Sequence, residues 1–195
     1  MQRVISQYTT ALDELNVLTT SSYQLADSED MTARIDQIAD DVLSFLIIAY
    51  TLGMEHASLM LVYELSVDVD SMREAIYTVI AGKTFEDRVA DHVIANDLSG
   101  LKTLVESEFH RVYNAALNDG AEDFVENGDF GVTKNWVTVK DDHVRETHTY
   151  LEGQSVALEE EFFTFDGDHA PHPGGFTKAE NNVNCRCIMW LSTDE

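Results

Sequence analysis

Residues 35–54, IDQIADDVLSFLIIAYTLGM, decide how the chain is read. Ile35, Ile38, Val42, Phe45, Leu46 and Ala49 recur at steps of three and four, which places them on one face of an α-helix. From 42 to 54 no charge interrupts the run, and apolar side chains spread to every side of the helix, between Asp41 and Glu55. Thirteen residues are too few to cross a bilayer, which takes about 20. The stretch therefore predicts a buried helix at the centre of a core, capped by Asp30 or Thr32, extending towards Leu65 and bending at Gly53.

Working outward, Ile5, Tyr8, Leu12 and Leu15 mark an earlier helical face, and the polar run over 19–29 is expected to end it. Ser71 with Glu74 forms a capping-box pattern for a short helix over 71–81, with Gly82 after it. Thr84 can cap a helix carrying Phe85, Val89, His92 and Val93, closed by Asn96-Asp97. Leu101, Leu104, Val105, Phe109, Val112 and Ala116 predict a further amphipathic helix from 98 to about 117, ended by Gly120. After Asp123 the texture turns to Gly, Asn and Asp and then to β-type alternation. Strands are expected over 135–139 and 161–165, and a loop over 166–176 holds both prolines. A terminal strand is expected over 183–191, where Val183, Cys185, Cys187, Met189 and Leu191 alternate with their neighbours. The fold class is α+β. A helical amino-terminal half, 1–97, packs on a smaller mixed α/β module, 98–195, with a short antiparallel sheet.

Acidic side chains outnumber basic ones 36 to 12, for a net charge of −24. The excess is shared evenly by the two halves, so it belongs to the whole surface. Nonspecific DNA affinity comes from Lys and Arg releasing counterions, so direct DNA binding is not expected; an acidic surface favours solubility. The first residues lack an apolar signal region, and no membrane association is expected. Two cysteines one residue apart do not suit an ordinary structural disulfide, which fits folding in a reducing cytoplasm.

Several polar groupings could carry chemistry. Gly82-Lys83-Thr84 lacks the glycine that a phosphate-binding loop needs five residues earlier, where Tyr77 stands. Glu55-His56 lacks the second histidine of a zinc-protease helix. Glu108, Arg111 and Asn114 lie on successive turns of one helical face, a spacing that a solvated ion pair would also give. Trp136 leads into Asp141 and Asp142, either able to cap a helix on which Arg145 and His148 share a face. Cys185 and Cys187 send their thiols to one side and can supply two ligands of a tetrahedral zinc, with His148, His169 or His172 completing the set; small buried core residues are the plain alternative. No nucleophile with a matching base stands out, so no cofactor is required and no enzyme is expected. The rival reading is a nucleotide-acting enzyme or toxin-like module using Glu108, Arg145 and His148.

In order and spacing these pieces resemble the phage Mu protein F-like head morphogenesis family. The resemblance rests on Glu108, Arg111 and Asn114; Trp136; Asp142, Arg145 and His148; Gly153 after Leu151; the aromatic strand around Phe163; Pro171 and Pro173; and Asn184-Cys185-Arg186-Cys187. It covers about 100–191 strongly and reaches more weakly back to about 40. It implies a minor head protein of a phage or prophage virion, present in few copies, associated with the portal inside the capsid after synthesis in the host cytoplasm. It also implies structural or binding roles for those motif residues, Asn184 and Arg186 included. Some members carry toxin or enzyme domains after this module; with the sequence closing at Glu195, none is expected here.

Overall fold

Helix α2 (Met31–Leu61) forms where the apolar period is strongest. Asp30 caps it by accepting from the Thr32 N–H at 3.0 Å, and Val62 ends it in the left-handed region. In this computed structural model, which describes residues 2–25, 30–128 and 131–193, α2 lies against α1 (Gln2–Leu25), α4 (Phe85–Ile94) and, most extensively, α5 (Leu98–Asn127). Among the described residues α2 is the one helix long and apolar enough to cross a membrane, well beyond the uncharged stretch at its centre. Ile38, Val42, Leu46, Ala49, Tyr50, Met54 and Ala57 are buried on it and account for part of that apolarity by core packing, while Ile47, Ile48 and Leu59 are exposed.

The helix boundaries depart from expectation at four places. α1 continues through the polar residues to Leu25, because Thr19 and Thr20 turn their hydroxyls back onto the carbonyls four residues earlier and Ser22 donates to Asp41. α3 (Val69–Ile76) is capped by Asp68, which accepts from the Ser71 N–H, so Ser71 lies inside the helix. Ala81 and Gly82 both take positive φ in a tight turn between Ile80 and Lys83, and do not end the helix. α5 runs through Gly120 to Asn127. Thr84 caps α4 with the reciprocal Asp87 bond, as its pattern predicts.

Both glycines read as breakers have a packing reason. A Cβ on Gly53 would stand 2.5 Å from the Tyr113 carbonyl oxygen and 2.7 Å from the Ala116 Cβ, and one on Gly120 would stand 2.7 Å from the Ala57 Cβ. Bare backbone lets α2 and α5 approach closely. α1 is held to this pair by Tyr8, bonded to His110 at 2.8 Å, and by Gln7, bonded to a His56 that also meets the Tyr113 hydroxyl.

The second half contributes an antiparallel sheet ordered β2-β1-β5, with β1 (Val132–Val137) central, β2 (Ser155–Ala157) on one side and β5 (Ile188–Thr193) on the other. β5 begins after the cysteines, so Cys185 and Cys187 lie in the extended approach to it. A second small ribbon pairs β3 (Phe162–Phe163), within the strand expected over 161–165, with β4 (His169–Ala170), which falls in the stretch that the glycines and prolines suggest is a plain loop. Two short helices, α6 (Glu146–Leu151) and α7 (Ala179–Asn182), complete the α+β architecture. The residue 97/98 boundary falls at the cap of α5, but α5 packs with the helices before it as well as with β5.

Candidate functional site

One face of α5 carries Glu108, His110, Arg111, Asn114 and Asn118, all buried. Glu108 accepts from Arg88 at 2.7 Å and from Arg111 at 2.9 and 3.2 Å. Burial pushes its carboxyl pKa up, but the two guanidinium groups outweigh that and hold it below the usual value. Arg111 donates onward to the Ala75 carbonyl at 2.8 Å, so α3, α4 and α5 meet at one carboxylate. This is a closed network and not the solvated pair that spacing alone suggests. Asn114 donates to the His110 carbonyl and accepts from the Met189 N–H at 3.0 Å, fastening the helix to β5.

At the start of α6 the arrangement differs from the capping expected. Arg145 occupies the N-cap position without a side-chain cap bond and donates to the carbonyls of Glu180 and Val183. Asp141 instead takes both guanidinium nitrogens of Arg186, at 2.7 and 2.9 Å, while Asp142 is exposed beside His143. Asn184 adopts the left-handed conformation in the turn that aims the following residues inward.

That turn delivers Cys185 and Cys187 to His148. Both sulfurs lie near the same ring nitrogen, Nδ1, at 3.5 and 3.4 Å, and all three residues are buried. The His148 ring stacks on Phe176 and meets the edge of Trp136. Burial pushes the Cys185 thiol up, but hydrogen bonds from Cys187, His110 and His148 outweigh it and favour the thiolate; the bond to Cys185 and burial push Cys187 up. His169 lies apart from this group, on the outer ribbon, where it pairs with Glu161. His172 is also separate, bonded to the Pro173 carbonyl and brought down to about 4 by burial. The nucleotide-site trio is divided as well. Glu108 lines a cavity of about 510 Å³ with Arg88 and Arg111, and Arg145 and His148 border a different, narrow one with the cysteines.

The family model described as Phage Mu protein F like protein matches residues 69–190. The chain belongs to this family. A curated relative, the NAD(+)--arginine ADP-ribosyltransferase EFV of Enterococcus faecalis, is 26% identical over 168 residues, 85% of this chain and 34% of that protein. The chain thus spans about a third of the relative's length. No solved structure matches.

Within this Mu F-like module, three buried polar residues are not evident from sequence reasoning. His110 sits between two members of the α5 motif and reaches Tyr8. Lys134 on β1 is buried above Phe162 and bonded to Asn118 at 3.4 Å, its pKa lowered by burial. Asp168 accepts from Thr177, Lys178 and Asn181; burial raises its pKa, and these bonds overcome that to bring it to about 2. A positively charged residue at an inward strand position, as Lys134 is, was the one available signal.

Proposed function

We propose that this protein is a non-enzymatic minor head protein of a phage or prophage, acting in head morphogenesis at the portal vertex and remaining on the interior side of the capsid. The observation that carries the reading is the family match over residues 69–190. The family's motif side chains in that span supply an internal scaffold. Glu108, Arg111 and Asn114 join helices to sheet, and Arg145 and Arg186 fix the loops around the cysteine segment. Such a module presents a rigid outer surface for docking, while a net charge of −24 disfavours contact with packaged DNA.

Co-expression with a portal protein of the same phage or prophage tests the proposal. Co-purification at defined stoichiometry, and recovery of the protein from purified heads, are expected; absence from heads would overturn it.

A second reading, a nucleotide-acting enzyme, is favoured by the ADP-ribosyltransferase activity for which the Enterococcus relative is named. The separate engagement of Glu108, Arg145 and His148 counts against it. Incubation with NAD+ and arginine-containing protein is expected to give no transfer above background.

A further inference from the structure

The His148 environment brings two sulfurs onto one ring nitrogen. Cys185 and Cys187 both face a single imidazole nitrogen, at 3.5 and 3.4 Å. In either tautomer that nitrogen offers one proton or one lone pair to two sulfurs, whereas a cation placed among the three atoms satisfies all of them at once. The distances agree with this. Zinc bonds of about 2.3 Å to sulfur and about 2.0–2.1 Å to nitrogen, at tetrahedral angles, separate the two ligand atoms by roughly 3.6 Å. The ligand atoms of the three residues all lie within 4.8 Å of one another. Each residue is at most 6% exposed, too enclosed for a reactive surface thiol.

We propose that Cys185 Sγ, Cys187 Sγ and His148 Nδ1 bind a zinc ion, with a water in the fourth tetrahedral position. Paired thiolates with imidazole select zinc over the hard oxygen-seeking cations. The site joins α6 to the approach to β5, so the metal fastens that helix to the sheet. Nothing in this depends on the portal reading, which is tested by presence in heads and not by metal content.

The test uses the whole chain, expressed with zinc in the medium and purified without chelator. One equivalent of zinc by elemental analysis is expected. Its removal by a strong chelator should lower the melting temperature by about 5–10 °C, because metal binding is linked to folding. Replacement by cobalt should give the intense absorption of tetrahedral thiolate coordination. H148A is expected to weaken zinc binding at least about tenfold and to change the cobalt spectrum, and C187S to abolish the thiolate bands. Should the cysteine variant fail to fold, cobalt titration of the demetallated natural protein gives the same answer. Absence of metal with two titratable thiols, or a mass showing a Cys185–Cys187 disulfide, overturns the site. Unchanged affinity and spectrum in H148A overturns His148 as a ligand.

Discussion

Glu108 is the residue on which the helical layer depends most directly. Its side chain is almost wholly enclosed, and its two oxygens are divided between Arg88 and Arg111. Removing one partner of a buried ionic network leaves the others without compensation, at a cost of about 3–5 kcal/mol. Glu108→Gln preserves the shape and removes the charge. It is expected to destabilise the protein by about that amount in urea unfolding. A conservative exchange at exposed Asp142 should leave the transition unchanged. If Glu108→Gln unfolds at the natural midpoint, the network is not holding α3, α4 and α5 together.

At the scale of elements, the crossing of α2 and α5 is set by Gly53 and Gly120. Helix propensity alone would make Gly53→Ala stabilising by about 1 kcal/mol. The added methyl group, however, would meet backbone at 2.5 Å, so a loss of about 1–3 kcal/mol of unfolding free energy, read as a lower denaturation midpoint, is expected instead. A gain would mean the helices can separate freely. These glycines also show what was legible in the sequence. The period of α2, the Thr84 capping box and the alternation around Trp136 are local, and each predicts an element that the fold contains. A glycine in a helical pattern signals either a break or a close approach, and the choice depends on a partner helix some sixty residues away in the sequence. The site was legible to the same extent. Cys185, Cys187 and His148 are visible as ligand types, but their convergence depends on the fold and not on spacing, and His169 has the right chemistry in the wrong place.

Over the whole molecule the dominant quantity is the negative field. Asp119, bonded to Tyr50 at 2.7 Å, is raised to about 6 by burial, with Glu122, Glu74 and Asp68 adding to the shift. Because the folded value exceeds the unfolded one, its contribution is fully present below about pH 4 and is lost as pH rises through about 6. Asp119→Asn should therefore flatten the stability profile between pH 4 and 6 and stabilise the protein at pH 7 by about 1–2 kcal/mol. Parallel profiles for the two proteins over that interval would remove Asp119 as the cause.

The bond between Tyr8 and His110 spans 102 residues. At about 5–20 residues per second, a ribosome takes roughly 5–20 s to make the partner after the first tyrosine has left the catalytic centre. Throughout that interval the nascent α1, which carries Val4, Tyr8 and Leu15, can meet α2 but not α5. Its full docking is thus a late event in the life of each newly made molecule.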